Sequence, residues 1–217
     1  MNGGQRTTAV ESLRDRDPAL AALIERHGLA PLRPRVPSAL RFDALARSIL
    51  YQQLAGKAAA AIHARFVAAL GGTVTAAMVL AAAPELLTSC GLSRAKAAAI
   101  SDLAEHVVDG RLNLDRIGRL SNEQVIEQLV QVRGIGRWTA EMFLLGTLGR
   151  LDIWPTGDFG VRVGFASGWN LPDVPSPKEL EVLGEPFRPY RSLVAWYCWR
   201  AADDRTLVPT PALVVPT

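Results

Sequence analysis

The sequence predicts an all-α fold, on the strength of three observations. Apolar residues recur at intervals of three and four in most segments, which is the period of an amphipathic helix, whereas strands would show alternation. Alanine, the residue that most favours helix, is abundant. Serine, proline and glycine stand where helices of these lengths would begin and end.

Each predicted helix has its own boundary signals. The first begins near Ser38 and presents one apolar face, made of Phe42, Leu45, Ile49 and Leu50. An alanine-rich helix follows a break at Ala55-Gly56 and ends near Leu70, before Gly71-Gly72. The remaining helices are predicted to begin at Pro84, after Ser93, after Ser121 and after Gly136, and to cover about 158–167, 177–183 and 190–202. The residues before Ser38 are predicted to be a polar, Pro-rich lead-in, and the tail PTPALVVPT to be extended.

Composition excludes several classes of protein. Among the 217 residues, no apolar run reaches the roughly 18 needed to span a bilayer, and the N-terminus has no apolar core of signal-peptide length. Two cysteines and three histidines are too few for an iron–sulfur cluster or a four-thiolate zinc site. The net charge of +3 permits nucleic-acid binding without requiring it. Because no lysine occurs between residues 97 and 177, that segment cannot form a Schiff base.

Two helical patterns meet at a Gly-x-Gly turn in the segment VIEQLVQVRGIGRWTAEMFLLGTLG, which forms a predicted hairpin at about 123–148. The turn is predicted to be too tight for a side chain at Gly134 or Gly136. Backbone N–H groups at the start of the second helix could then hold a phosphate, whatever the base sequence. The alternative is that the two glycines only make a turn.

The hairpin resembles that of the helix-hairpin-helix superfamily of DNA glycosylases, in which an Asp follows about 20 residues after the turn. Here that residue is Asp158. The sequence GIGRWTAE at 134–141 is most similar to the 3-methyladenine DNA glycosylase II (AlkA-like) family. Three further blocks agree with this family in order and spacing, namely ILYQQLAGKAAAAIHARF at 49–66, GLSRAKAAAISDLAEHVVDG at 91–110 and RPYRSLVAWYCWR at 188–200.

The resemblance implies that Asp158 is the catalytic carboxylate. Such a group would stabilise the positive charge that develops on the sugar as the N-glycosidic bond breaks, and could orient the attacking water. An alkylated purine leaves as a neutral base and needs little help from a second acid, which fits the single carboxylate. The alternative is that Asp158 only caps the next helix, and the two roles are compatible. Asp152 is the rival carboxylate, for which a structural hydrogen bond is expected.

The resemblance also implies a pocket for the flipped base and one chemical step. Electron-poor alkylated bases stack well on aromatic rings, and the candidates are Trp138, Trp154, Phe159 and Tyr190. Trp138 and Tyr190 occupy pocket positions of the family, with core packing as the alternative, and Trp154 is included because it is close to Asp158 in the sequence. Trp196 and Trp199 are expected in the core. Relatives that also cut the DNA strand carry a Lys two residues after the second hairpin glycine, where this chain has Trp138. Base removal alone is therefore expected.

Other elements of the resemblance concern DNA contact. The loop after the first long helix would fill the gap left by the flipped nucleotide, and here it contains Gln52, Gln53 and Leu54; helix capping is the alternative for the glutamines. Phosphate binding is assigned to five consecutive residues, Arg133, Gly134, Ile135, Gly136 and Arg137; for each arginine, a solvated side chain without a phosphate contact is the alternative. No cofactor is expected to be required, but the backbone carbonyls of Val130, Val132 and Ile135 are candidates to hold Na⁺ or K⁺.

The resemblance covers residues 38–200 and implies a two-lobed helical fold with the active site in the cleft between lobes. The expected domains are an N-terminal segment 1–37 that packs on the C-terminal lobe, a glycosylase core 38–200 and a tail 201–217, without the N-terminal β domain of longer relatives. We expect a cytoplasmic monomer, nucleoid-associated if bacterial, that acts on double-stranded DNA containing alkylated bases. A glycosylase for uracil or mismatched bases, and a noncatalytic DNA-binding protein, are the alternatives.

Overall fold

The computed structural model describes residues 3–31 and 35–207, and this part of the chain forms helices and turns with no strand. The predicted all-α class is confirmed. The chain divides into two compact units, one made of residues 33–150 and the other of 1–32 together with 151–217. Within the two described ranges, no helix is long and apolar enough to cross a membrane.

The unit of residues 33–150 contains seven α-helices: α3 (Arg41–Tyr51), α4 (Gly56–Ala69), α5 (Ala76–Ala81), α6 (Pro84–Ser89), α7 (Arg94–Val108), α8 (Asn122–Leu129) and α9 (Arg137–Gly146). Helix α3 packs against α4, α7 and α9 and is central to this unit. All four residues of its predicted apolar face are buried. Ser93 and Ser121 cap α7 and α8 as predicted, whereas α5 was not predicted.

The second unit contains α1 (Gly3–Arg16), α2 (Pro18–His27), α10 (Phe159–Gly168), α11 (Pro177–Gly184) and α12 (Arg191–Leu207). Helices α10 and α12 pack closely, and α2 packs on both. Its core is rich in aromatic side chains, including Trp154, Phe165, Phe187 and Tyr197. The Tyr197 hydroxyl donates to the carbonyl of Gly28 at 2.9 Å and accepts from the N–H of Ala30 at 3.1 Å.

Two sequence predictions in this unit were wrong. The polar lead-in contains α1 and α2, because Ala9, Val10, Leu13, Leu20 and Leu23 supply a buried face. Asp17 caps α2 ahead of Pro18, and Gly28 ends it with a positive φ of 69°. The predicted end of the last helix, near residue 202, was also wrong, because α12 continues to Leu207. The predicted extended tail PTPALVVPT lies outside the described residues.

Candidate functional site

The predicted hairpin is present as α8, a tight turn and α9. The turn closes through the N–H of Ile135, which donates to the carbonyl of Val132 at 3.1 Å. Gly136 is the N-terminal cap of α9 and has extended backbone, so the first N–H groups of α9 have no acceptor within the helix. This is the arrangement that can receive an anion.

The two hairpin glycines are not equivalent, which corrects the sequence prediction. Gly134 has a φ of +79°, and a Cβ there would lie 3.1 Å from the Cβ of Ala99. A side chain at Gly134 is therefore disfavoured both by the left-handed conformation and by the close approach of Ala99. A Cβ at Gly136 would meet nothing within 4 Å. Packing within the protein does not require glycine at position 136.

The hairpin arginines also differ from each other. Arg137 donates to Glu123 in two hydrogen bonds of 3.1 and 2.8 Å and to Glu141 at 3.1 Å. The hydrogen bonds to Glu123 raise the pKa of Arg137 further. Because Glu123 and Glu141 already offset the charge of Arg137, we expect its side chain to contribute less to phosphate binding than that of Arg133. Arg133 has an exposed side chain, and its backbone N–H donates to Asp102 Oδ2 at 2.7 Å.

The loop of residues 52–54 lies next to the hairpin. The side-chain amide of Gln52 donates to the carbonyl of Gly134 at 3.0 Å and to the hydroxyl of Thr139 at 3.2 Å. The side chain of Gln52 therefore binds the hairpin, while its backbone N–H caps the end of α3 by donating to the carbonyl of Ile49. Gln53 has a positive φ of 56°, and both Gln53 and Leu54 are exposed. Only these last two side chains of the predicted wedge extend into solvent.

Asp158 caps α10, as the alternative interpretation predicted. Its Oδ1 atom accepts from the N–H of Val161 at 2.9 Å and from the indole N–H of Trp199 at 3.1 Å. The carboxylate is half-buried. Burial raises the pKa of the Cys198 thiol well above its usual value, and the negative charge of Asp158 raises it further. The carboxylate of Asp158 thus lies at the start of α10, where it accepts from the indole of Trp199 and interacts with the unionised thiol of Cys198.

Trp199 is the main residue that the sequence analysis missed. It was expected to be in the core, and it does pack partly against the core of its unit, but its indole also binds the candidate catalytic carboxylate. A Cβ at Gly160 would lie 3.1 Å from Asp158 Oδ1 and 3.2 Å from the Trp199 ring. Glycine at 160 therefore leaves space for this pair. No local pattern could reveal it, since the two partners are 41 positions apart.

Asp152 has the structural role that the sequence analysis expected. It accepts from Arg191 at 2.7 and 3.1 Å and from Arg188 at 2.8 Å. Arg191 is buried and also pairs with Glu181 and Glu185. Since two guanidinium groups neutralise Asp152, it is a poor candidate for catalysis.

The four candidate pocket aromatics have different environments. Trp138 is 46% exposed and Phe159 is 68% exposed, whereas Tyr190 is partly buried. Trp154 is buried in the core, where its indole donates to the carbonyl of Leu180 at 2.8 Å and its ring meets Phe165 edge to face. Burial favours packing over base contact for Trp154. The exposed rings of Trp138 and Phe159 are accessible for stacking.

Two helices joined by a tight Gly-x-Gly turn place the protein in the class of helix-hairpin-helix proteins. A family model described as "HhH-GPD superfamily base excision DNA repair protein" matches residues 46–189. The chain belongs to this family.

Several relatives are similar over most of their length. DNA-3-methyladenine glycosylase 1 of Schizosaccharomyces pombe is 35% identical over 164 residues, which cover 74% of this chain and 72% of the relative. The DNA-3-methyladenine glycosylase of Saccharomyces cerevisiae is 31% identical over 239 residues, which cover 91% of this chain and 80% of the relative.

Two solved structures resemble the fold closely. The S. pombe 3-methyladenine DNA glycosylase Mag1 in complex with abasic DNA has a TM-score of 0.78 and 32% identity, covering 89% of this chain and 95% of that one. A DNA-3-methyladenine glycosidase from Bacillus halodurans has a TM-score of 0.81 and 32% identity, and the match covers 92% of this chain and 91% of that one.

Proposed function

We propose that this protein is a DNA glycosylase that removes alkylated purines, of the 3-methyladenine and 7-methylguanine type, from double-stranded DNA. It leaves an abasic site. The observation that carries the proposal is the setting of Asp158, a half-buried carboxylate whose Oδ1 is held by a helix N–H and an indole N–H. Relatives of the same base excision repair family are named for 3-methyladenine, and one was solved with abasic DNA, the product of base release.

The chemistry follows from one fixed negative charge. As the glycosidic bond lengthens, the sugar acquires positive charge, and an oriented carboxylate stabilises it without reorganising. Two donors on Oδ1, the Val161 N–H that makes the cap of α10 and the Trp199 indole N–H, fix the orientation of this group. Asp152 is neutralised by two arginines and adds no second acid. A cationic alkylpurine needs none, because it departs as a neutral base.

The positions of the three lysines support base removal without strand cleavage. A lyase reaction needs an amine that forms a Schiff base with the sugar. Trp138 stands at the hairpin position where such an amine would be expected, and the three lysines of the chain are Lys57, Lys96 and Lys178. The Lys96 ammonium is held by two backbone carbonyls. We therefore infer that the enzyme has no lyase activity.

DNA binding is assigned to the hairpin and the adjacent loop. Phosphate would bind the N–H groups at the start of α9, with Arg133 beside them, while Gln53 and Leu54 would enter the duplex. The carbonyls of Val130, Val132 and Ile135 supply neutral oxygen donors that suit Na⁺ or K⁺, and a carbonyl that already accepts one hydrogen bond keeps a second lone pair. A cation held there would add positive charge near the phosphate.

The test measures base release under single-turnover conditions. Duplexes carry 7-methylguanine, 3-methyladenine, uracil or a G·T mismatch, and we expect release of the two alkylpurines. Asp158→Asn keeps the cap and the oxygen that Trp199 binds, yet should slow release by about 10²- to 10³-fold with DNA affinity unchanged.

Asp17 offers a matched control. It caps α2 by accepting the N–H of Leu20 at Oδ1 and accepts the indole N–H of Trp169 at Oδ2 at 3.0 Å, so it has the same kinds of partner as Asp158, on separate oxygens. Asp17→Asn should leave release unchanged. Equal rates in wild type and Asp158→Asn would show a noncatalytic DNA-binding protein, preferred release of uracil or a mismatched base would change the substrate, and a covalent adduct trapped by borohydride would show lyase activity.

A further inference from the structure

The loop of residues 52–54 and the hairpin are joined by a network of hydrogen bonds that starts on α7. Lys96, in the first turn of α7, donates from Nζ to the carbonyl of Leu50 at 2.8 Å and to the carbonyl of Gln52 at 2.7 Å. These carbonyls lie at the end of α3, where backbone acceptors have no partner within the helix. A lysine ammonium is favourable there because it also opposes the negative end of the helix dipole.

The network continues from Gln52 into the hairpin. Its side-chain nitrogen has two hydrogens and donates one to Gly134 O and one to the Thr139 hydroxyl. The backbone carbonyl of Gln52 is thus bound by Lys96 of α7, and the side chain of Gln52 binds the hairpin turn and the first turn of α9.

Helix α7 also contacts the hairpin directly, through a stripe of residues spaced three apart. Ala99 packs against Gly134, where any side chain would come within 3.1 Å, and Asp102 Oδ2 accepts the N–H of Arg133 at 2.7 Å. Together with Lys96, this stripe fixes both the end of α3 and the hairpin turn. The two elements assigned to DNA contact therefore share one support.

The backbone of the loop shows that it is held in a specific shape. Gln53 adopts a φ of 56°, a left-handed conformation that is unfavourable for a non-glycine residue and persists only where its surroundings impose it. Lys96 holds the carbonyl that precedes Gln53, and the N–H of Leu54 donates back to Tyr51 O at 3.3 Å. The exposed side chains of Gln53 and Leu54 are thereby presented from a fixed backbone.

We propose that Lys96 and Gln52 are positioning residues that lock the 52–54 loop to the hairpin, so that phosphate binding at the hairpin places the loop in register to open the base pair. This inference rests on the proposed glycosylase function. Neither residue touches the reacting atoms. They lower the free energy needed to flip the base. Their loss should therefore slow release mainly from substrates whose target base is paired.

The experiment compares two substrates that differ only in that cost. In one duplex 7-methylguanine pairs with cytosine, and in the other it faces a tetrahydrofuran abasic analogue, so that no base pair has to be opened. Lys96→Met keeps the apolar stem and removes the donor. We expect it to slow single-turnover release from the paired substrate about tenfold or more, and from the unpaired substrate less than about threefold.

Three further variants separate positioning from general destabilisation. Lys96→Arg, which can still donate to both carbonyls, should recover most of the paired-substrate rate. Gln52→Met, which removes the donors without adding charge, should reproduce the dependence on pairing. Lys178→Met removes an exposed lysine of α11 and should match wild type on both substrates. Thermal unfolding of every variant checks that it is folded at the assay temperature.

The outcomes are distinguishable. Equal losses on the two substrates, or no loss on the paired one, would overturn the positioning role while leaving the glycosylase function intact. Failure of the wild-type protein to release base from either duplex would instead overturn the proposed function itself.

Discussion

The two units stabilise their functional elements with different kinds of contact. Around the hairpin, the fixed points are polar: Gln52, Lys96 and Asp102 each bind backbone groups of another segment. Around Asp158, they are aromatic: four of the five tryptophans of the chain lie between residues 151 and 217, and one of them binds the carboxylate. Hydrogen bonds fix the positions of backbone groups that are proposed to bind phosphates. Aromatic packing around Asp158 holds the residue that binds this carboxylate, so that its charge does not have to reorganise during the reaction.

The largest effect is expected from Gly164 in the aromatic unit. A Cβ there would lie 1.7 Å from the carbonyl oxygen of Cys198, so that α10 and α12 could not remain in contact. Gly164→Ala should lower the free energy of unfolding by about 4 kcal/mol or more, measured in urea. Gly146→Ala in α9 is the control, because a Cβ there meets nothing within 4 Å, and its effect should be within about 1 kcal/mol. Similar losses from both substitutions would contradict the close packing of α10 on α12.

Smaller effects are expected from the two hairpin glycines, of which Gly134 is needed for stability and Gly136 for DNA binding. Gly134→Ala should lower stability by about 1–2 kcal/mol, since it forces a left-handed alanine against Ala99. Gly136→Ala should leave stability within about 0.5 kcal/mol but raise the Kd for DNA about fivefold, because the new methyl group stands where phosphate would approach the α9 amides. Urea unfolding and fluorescence anisotropy measure the two quantities. Unchanged affinity in Gly136→Ala would place the phosphate elsewhere.

The next prediction compares two arginines four residues apart. Arg133→Gln should reduce the slope of log Kd against log salt by about one, as expected for the loss of one phosphate contact. Arg137→Gln should leave that slope unchanged, since Glu123 and Glu141 already neutralise Arg137. The opposite order of effects would mean that DNA draws Arg137 away from its carboxylates.

The hairpin, the helix caps and the class of fold could be predicted because their signals are local. Ser93, Ser121 and Asp158 each stand directly before the helix they cap, and Gly134 stands at the turn it permits. The relevant signal for α2 was also local, in Asp17-Pro18 and Gly28, but the surrounding polarity obscured it.

The partners of these residues could not be predicted, because they are distant in sequence. Gln52 is 82 positions from Gly134, and Trp169 is 152 positions from Asp17. A solvated arginine and one bound by two carboxylates look identical in a sequence, so the ion pairs of Arg137 could not be predicted. Likewise, a tryptophan that packs and also donates to a carboxylate cannot be told from one that only packs, as with Trp199.

The two cysteines also bear on how the protein withstands the chemistry it is proposed to repair. Both Cys90 and Cys198 are buried, and burial together with the charge of Asp158 raises the pKa of Cys198, so that its reactive thiolate is scarcely populated. Methylating electrophiles that damage purines also attack thiolates. A thiol reagent such as 5,5′-dithiobis(2-nitrobenzoic acid) should label neither cysteine in the folded protein and both in guanidinium chloride; rapid native labelling of Cys198 would contradict this. A sulfur atom next to the proposed catalytic carboxylate is thereby kept as an inert packing group, resistant to the agents that create the substrate.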